Sequence, residues 1–277
     1  MPGDAPYVLK DLTFGSSSMI SVPTQDRFIS QMVGAMEFFF GLGPNTFPDL
    51  YPSKVDSTNF PFKGFILQGP PGSGKTEAVL EAGRKLWLSL ENKHGLEVRL
   101  IHVNSANINT RHFGESEARL QRVFADAQNT MENNIRTIIL FDDIDTLLMA
   151  RSEQAAEEWT HSLNGVFFHA LDNLVTTKTM VIATTNIADR IDPAVLSRLS
   201  VRDAPSPTVE EMKTVAKSAL PVRGVPGKMT LDELLAKTAD EIEKQLAEGK
   251  PASFRLARSA AIETVVDLIA GWEKGSN

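Results

Sequence analysis

One stretch of the chain has the residue types and spacing needed to hold the phosphates of a nucleotide. It reads Gly69-Pro70-Pro71-Gly72-Ser73-Gly74-Lys75-Thr76. This order matches the pattern G-x-x-x-x-G-K-[ST], in which glycines let backbone N–H groups turn inward around an anion. We expect the Lys75 ammonium to reach the β- and γ-phosphates of the nucleotide, and the Thr76 hydroxyl to ligate Mg²⁺. The alternative, a glycine turn that binds nothing, is disfavoured because every fixed position of the pattern is filled.

A pair of carboxylates about 65 residues further along the chain completes this chemistry. The apolar run Ile138–Phe141 ends in Asp142 and Asp143, as expected for a buried strand with acidic residues at its carboxyl end. We expect Asp142 to hold Mg²⁺ next to Thr76, and Asp143 to orient or deprotonate the attacking water. Alone such a run is a weak signal, because strands often end in Asp as a turn residue.

Strands and helices must position these residues, and the sequence predicts both in alternation. Four runs predict buried strands, and they lie at 65–68, 98–103, 137–141 and 180–183. Helical spacing of apolar residues is found from Phe28, after Lys75, at 115–131 and at 157–175, and we expect a loop at 105–114. This alternation predicts an α/β fold with a parallel sheet covered by helices on both faces.

The pattern changes after Pro205, where only helical segments follow. We therefore expect three parts along the chain. They are an N-terminal tail at 1–24, a large α/β domain at 25–205 and a small all-helical domain at 206–277.

The composition excludes several classes of function. The 277 residues carry a formal net charge of −7, which gives no general basic field for nucleic acid or a membrane surface. Because there is no cysteine, disulfides, thiolate zinc sites and cysteine nucleophiles are ruled out. The N-terminus does not read as a secretory signal, and no apolar run approaches the ~20 residues that span a bilayer. We expect a cytoplasmic protein with no membrane partner, and the charge disfavours a nucleic-acid partner.

Six motifs in order resemble those of the AAA+ ATPases, and more narrowly those of their AAA clade. They are the approach to the phosphate loop at 61–72, a pore loop at 112–117, the acidic strand end at 141–145, a polar sensor run at 183–186, an arginine-finger segment at 191–198 and a second sensor at 253–255. Within the clade the chain is most similar to the pachytene-checkpoint ATPases that remodel HORMA-domain proteins, in their compact bacterial form. The run 111–116, the spacer 86–98 and the segment 191–198 carry that likeness.

The resemblance implies a fold, an assembly and a set of site residues. The fold is an AAA+ domain with a five-stranded parallel sheet followed by a helical lid, and the assembly is a hexameric ring. ATP would lie between the large domain, the lid and the neighbouring subunit, and its hydrolysis would remodel or partly unfold a protein partner, with a HORMA-domain protein as the candidate. His112 and Phe113 would line the central pore. The implied catalytic residues are Lys75, Asp143, Asn186, Arg198 and Arg255.

Departures from the family pattern leave alternatives open. Asp143 stands where the family has the longer Glu, so the attacking water would be held less well. The usual two-arginine finger is absent, which leaves Arg198 as the first choice for the finger and Arg202 as the second. His112 replaces the pore aromatic, and this weakens the expected grip on a substrate.

Alternatives also remain for the second sensor residue and for the function. Arg258 lies on the same predicted helix as Arg255 and is the alternative second sensor. A loader or scaffold acting on DNA would also fit the motifs, because the single finger at Ser197-Arg198 resembles that of clamp loaders. A third function is a slow switch that binds ATP to assemble and rarely turns over.

Overall fold

A computed structural model describes residues 6–12, 19–40, 62–109, 114–129, 134–148 and 158–271. Its central feature is a six-stranded sheet with the strand order β1-β3-β4-β5-β2-β6. The strands are β1 (Val8–Lys10), β2 (Gly64–Gln68), β3 (Glu97–Asn104), β4 (Ile135–Asp142), β5 (Thr179–Thr185) and β6 (Ser200–Asp203). Strands β2 to β6 pair in parallel, so the expected α/β fold with five parallel strands is confirmed.

Nine α-helices are found among the described residues. They are α1 (Pro23–Phe39), α2 (Lys75–His94), α3 (Ser105–Ile108), α4 (Glu115–Gln128), α5 (Glu158–Asp172), α6 (Pro193–Leu196), α7 (Val209–Ala219), α8 (Leu231–Ala247) and α9 (Phe254–Ala270). None of the helices in the described part of the chain is both long and apolar enough to cross a bilayer.

Three elements differ from the sequence-based expectations. β1 lies within the segment expected to be a tail and pairs antiparallel with β3. β6 follows the expected finger segment, and the loop expected at 105–114 begins with the helical turn α3. Each of these elements has three or four residues, which is too short for a periodicity to develop in the sequence.

Contacts divide the chain into two compact units, which we call the sheet unit and the helical unit. The sheet unit consists of 1–16, 29–68 and 75–203. The helical unit consists of 17–28, 69–74 and 204–277, and it therefore includes the phosphate loop Gly69–Gly74 as well as the C-terminal helices.

The core of the sheet unit explains why its strands read as continuous apolar runs. Every residue of β5 is buried, as expected for a central strand covered by helices on both faces. On one face Phe124, Phe141 and Phe167 form a cluster with ring centroids 5.4–5.8 Å apart. These rings hold α4 and α5 against β4, and thereby fix the strand that ends in Asp142.

The helical unit has its own apolar core and well-defined helix ends. Its core is formed by residues of α7, α8 and α9 with Val22 from the N-terminal segment. Helices α7 and α8 each begin with a capping box, Thr208 with Glu211 and Thr230 with Glu233. Such reciprocal caps satisfy two of the free N–H groups at a helix start. The Ser253 hydroxyl caps α9 by accepting a hydrogen bond from the Leu256 N–H.

Candidate active site

The order of the parallel strands brings the predicted site residues of the sheet unit together. β5 lies between β4 and β2, with Phe141 opposite Ala183 and Gln68 opposite Thr185. The carboxyl ends of these three strands therefore meet at one edge of the sheet, where ligands of open α/β sheets bind. Asp142 ends β4, Asn186 directly follows β5, and β2 leads into the phosphate loop.

Lys75 is the first residue of α2, and its side chain turns toward this edge. The residue is only 7% exposed, and its Nζ donates a hydrogen bond to Asn186 Oδ1 at 3.0 Å. A nearly buried ammonium requires partners that offset its loss of hydration. The predicted phosphate-binding lysine and the predicted sensor residue are thus adjacent.

Thr76 and Asp142, the two predicted Mg²⁺ ligands, are also in direct contact. The Thr76 hydroxyl donates to Asp142 Oδ1 at 2.7 Å, and the Thr184 hydroxyl donates to the same oxygen at 2.6 Å. Burial by itself raises the pKa of Asp142. The contacts with His102, Thr184 and Thr76 outweigh burial and lower that pKa to about 2. The carboxylate is therefore ionised at neutral pH and available to a cation.

Asp143, the predicted water-activating residue, has an unusual backbone conformation. Its φ is +51°, the single positive φ of a non-glycine residue in the described ranges. The strain is held by a hydrogen bond from the Asp143 N–H to Thr184 Oγ1 at 3.0 Å. Such conformations persist where the surroundings enforce them, and they concentrate at functional sites. The exposed Asp143 carboxylate lies 3.5 Å from Asn186 Nδ2.

The phosphate loop packs within the helical unit against the start of α9. Gly72 and Gly74 have φ values of +81° and +86°, which favour glycine. A Cβ added to Gly72 would lie 2.4 Å from the Arg255 Cβ, and the Arg255 N–H donates to the Gly72 carbonyl at 3.3 Å. Arg255, the favoured second sensor, therefore touches the loop directly.

Gln25 and Ser73 carry polar atoms that have no hydrogen-bond partner in the described structure. Gln25 is 1% exposed, and its Nε2 donates to the Ser73 carbonyl at 2.8 Å. Its Oε1 and the Ser73 hydroxyl are both buried and unsatisfied within the described ranges. Unpaired polar atoms beside a glycine loop fit a site whose remaining hydrogen bonds are made to a polar ligand.

The residues at the sheet edge also fit a magnesium ion held together with a nucleotide. The residues that the structure describes contain no group of three His, Asp or Glu side chains that could hold a metal. Mg²⁺ is usually bound by one or two protein oxygens together with phosphates and water. The Thr76 hydroxyl and the Asp142 carboxylate are such a pair.

The two candidate finger residues have different surroundings. Arg198 is held within its own chain, because its Nε and Nη2 donate to the Asp172 carboxylate at 2.6 and 2.9 Å. This pairing lowers the pKa of Asp172 and raises that of Arg198. The guanidinium also lies 5.5 Å from the Phe168 ring centroid. Arg202, at the end of the sheet, is exposed and donates to the Val201 carbonyl.

Some predicted residues gain no support from the geometry. His112 and Phe113, the predicted pore residues, lie outside the described residues. Arg258, the alternative second sensor, is exposed on α9. The role of each of these residues stays a prediction.

Three residues of the site were missed in the sequence. Thr184 lies within the sensor run 183–186, and its hydroxyl at a strand end was a usable signal. His102 and Gln25 had none, because their proximity to Asp142 and Ser73 depends on which strands and segments are neighbours in space.

A protein-family profile and several known proteins match parts of this chain. The profile of the ATPase family associated with various cellular activities (AAA) matches residues 65–204, about half of the chain. A probable spastin homolog from Brugia malayi is 28% identical over 201 residues, covering 69% of this chain and 40% of that protein. A proteasome-associated ATPase from Acidimicrobium ferrooxidans is 27% identical over 183 residues, covering 64% of this chain and 30% of that protein.

Further relatives include ring-forming proteins and a solved complex. A protein from Kocuria rhizophila described as an AAA ATPase forming ring-shaped complexes is 28% identical over 148 residues, 51% of this chain and 26% of that one. A chain of the HORMA:CdnC:Trip13 complex of E. coli MS115-1 matches with a TM-score of 0.56 and 17% identity over 86% of both chains. At that identity the likeness shows the fold alone.

The present chain spans between about a quarter and two fifths of the length of the curated relatives named above. The matched residues nevertheless include the phosphate loop, both carboxylates and the sensor asparagine. The chain belongs to the AAA family, the ATPase family associated with various cellular activities.

Proposed function

We propose that the chain is an ATPase that assembles into a hexameric ring and uses ATP hydrolysis to remodel a protein partner. The convergence of Lys75 on Asn186, and of Thr76 on Asp142, at the carboxyl ends of the parallel strands carries this proposal. A cationic hydrogen-bond donor that follows a glycine loop in the sequence, together with an ionised carboxylate, suits a nucleoside triphosphate and its magnesium ion.

Each residue has a distinct role in the proposed reaction. Lys75 binds the terminal phosphates, and its bond to Asn186 holds both groups where they recognise ATP. Asp143 orients the attacking water and accepts its proton. Arg255 contacts phosphate from the start of α9, and an arginine from a neighbouring subunit, Arg198 by first choice, stabilises charge in the transition state.

Thr76 and Asp142 would hold Mg²⁺, which when bound neutralises charge on the phosphate oxygens. Thr184 keeps the Asp142 carboxylate in place through the shared Oδ1. The same hydroxyl accepts a hydrogen bond from the Asp143 N–H. One threonine therefore holds both acidic residues in place.

A HORMA-domain protein is the finer candidate for the partner. Two observations support it: the motif likeness to the pachytene-checkpoint ATPases, and a matching fold in a chain of a complex that contains a HORMA protein. His112 and Phe113 would grip the partner in the pore. Opening of a purified HORMA-domain protein, followed by protease sensitivity with and without ATP, tests this part separately.

Nucleotide binding is tested by equilibrium titration with a fluorescent ATP analogue. Lys75→Ala is expected to abolish binding, because the ammonium supplies the charge that the phosphates require. Lys85→Ala is the matched control, since Lys85 lies on the same helix α2 away from the strand ends, and it should bind as the wild type does. Equal affinity of Lys75→Ala and wild type would disprove the assignment of the site.

A slow nucleotide switch is the second candidate function. It is favoured by the two hydrogen bonds from Arg198 to the Asp172 carboxylate, because an arginine held in its own chain must first leave that pair before it can act on a neighbour. The short Asp143 side chain also favours a slow switch, because it would hold the attacking water less well. A switch would assemble on binding ATP and show turnover far below the usual ~1–10³ s⁻¹ of enzymes.

A further inference from the structure

We propose that His102 is a positioning residue that holds the second oxygen of the Asp142 carboxylate and so sets the affinity of the site for Mg²⁺ in the presence of ATP. This inference rests on the proposed function, because it concerns the metal that accompanies the nucleotide. Neither the motifs nor the family profile assigns a role to this histidine.

The sheet places His102 beside Asp142. Strands β3 and β4 are parallel, with His102 opposite Leu140 and Asn104 opposite Asp142. Because side chains alternate along a strand, Leu140 and Asp142 share one face, and His102 lies on that face of the neighbouring strand. Its Nε2 is 3.6 Å from Asp142 Oδ2, and both side chains are largely covered, with 19% and 28% exposed.

The two oxygens of the Asp142 carboxylate have different partners. Oδ1 accepts from the hydroxyls of Thr76 and Thr184. Oδ2 has its nearest polar partner in His102, and no described residue donates a hydrogen bond to it at normal length. A carboxylate fixed at one oxygen alone can still turn about its own axis. A donor facing Oδ2 removes this freedom and aims the carboxylate at the metal.

The buried nitrogen of His102 supports the same conclusion. Nε2 is inaccessible to solvent and has no hydrogen-bond partner among the residues that the structure describes. A nitrogen lone pair facing an ionised carboxylate would be repelled, so Nε2 carries the hydrogen. The gap of 3.6 Å is longer than a hydrogen bond, and a small shift of the carboxylate would close it. Outer partners of metal-binding carboxylates typically change metal affinity by ~10–100-fold when they are removed.

The test separates nucleotide binding from metal binding. Affinity for a fluorescent ATP analogue is measured with EDTA and then over a range of Mg²⁺ concentrations, with His102→Leu, His102→Gln and wild type. We expect His102→Leu to bind the metal-free nucleotide within about twofold of wild type and to need about tenfold more Mg²⁺ for half of the metal-dependent tightening. His102→Gln retains an N–H donor and should restore the requirement to within about threefold.

Arg99→Gln is the matched control. Arg99 lies on β3 three residues earlier and on the opposite face of the sheet, so its variant should have the wild-type Mg²⁺ requirement. Thermal unfolding identifies variants that do not fold, and His102→Ala replaces His102→Leu if the latter fails to fold.

Four results would overturn the inference. An unchanged Mg²⁺ requirement in a folded His102→Leu protein would do so while leaving the proposed function intact. If His102→Leu lowers nucleotide affinity equally with EDTA and with Mg²⁺, its role is only structural. The same conclusion holds if Arg99→Gln raises the Mg²⁺ requirement as much as His102→Leu does. Failure of the wild type to bind nucleotide would overturn the proposed function as well.

Discussion

Thr184 connects the two acidic residues of the site at a single hydroxyl. It donates to Asp142 Oδ1 and accepts from the Asp143 N–H. The first bond helps to keep Asp142 ionised, and the second stabilises the left-handed backbone of Asp143. One buried side chain in β5 thus contacts both the carboxylate proposed to bind the metal and the residue proposed to orient water.

Removal of this hydroxyl should impair catalysis more than nucleotide binding. Thr184→Val keeps the shape of the side chain but leaves Asp142 and Asp143 each without one partner. Hydrogen bonds to charged groups contribute about 1.5–3 kcal/mol, so we expect about a tenfold or larger fall in kcat, with little change in affinity for ATP at saturating Mg²⁺. Thr179→Val, at the opposite end of β5, is the control for the strand and should retain wild-type kcat. Equal kcat in Thr184→Val and wild type would show that the hydroxyl is not needed.

Asp143 should be required for turnover and dispensable for binding. Asp143→Asn removes the proton acceptor but keeps the size of the side chain, so ATP stays bound while phosphate release falls at least ~10²-fold. Asp143→Glu restores a carboxylate with one more methylene, and its rate shows whether the short side chain limits the wild type. Unchanged turnover in Asp143→Asn would place the base elsewhere.

The motif residues could be found in the sequence because their chemistry is local. The phosphate loop, Asp142 and Asn186 each stand in a recognisable run of neighbours. His102 and Gln25 could not be found in this way, because each acts on a residue 40 or more positions away in the chain.

The phosphate loop is supported by the start of α9. Gly72 has no room for a side chain, because a Cβ there would lie 2.4 Å from the Arg255 Cβ. A side chain at position 72 would therefore displace Arg255 within the helical unit. The close approach explains why this position of the loop requires glycine in this chain.

Gly72→Ala should lose nucleotide binding and lower the free energy of unfolding. A left-handed φ costs a non-glycine residue about 1–2 kcal/mol, and the overlap with Arg255 adds to that cost. Gly95→Ala is the matched control, because Gly95 also has a positive φ, of +61°, but nothing lies within 4 Å of its added Cβ. Chemical denaturation and ATP titration measure both effects. If Gly72→Ala and Gly95→Ala lower the free energy of unfolding by the same small amount, the overlap with Arg255 contributes nothing. Gly72 is then needed for its backbone angle alone.

Element prediction succeeded where apolar runs were long and failed where elements were short. β3, β4 and β5 have seven or eight residues and clear apolar runs. β1 and β6 have three and four residues at the edges of the sheet. Their place is set by pairing with neighbouring strands and not by their own residues.

The proposed hydrolysis requires a ring in which one subunit completes the site of the next. Head-to-tail contacts that close generate rings, and relatives of this chain form ring-shaped complexes. Arg198 is bound to Asp172 in the single chain. To act on a neighbour it must leave this pair, and this release is a step that assembly would drive.

Subunit mixing should identify the finger. Arg198→Ala protein added to wild type is expected to lower ATPase activity beyond simple dilution, because each variant subunit disables a neighbouring site. Arg202→Ala, also close to the end of the sheet and exposed, is the control and should reduce activity only in proportion. The opposite pattern would assign the finger to Arg202, and additive losses in both would argue against a finger supplied in trans.

Dependence of hydrolysis on a neighbouring subunit is tested by the rate of phosphate release per subunit, measured over a range of protein concentrations alongside the molecular mass. We expect a rate that rises with concentration and reaches a plateau where the mass reaches that of the ring, because hydrolysis needs a neighbour. A constant rate from monomer to assembly, or no phosphate release at any concentration, would show that the proposed ring mechanism is wrong.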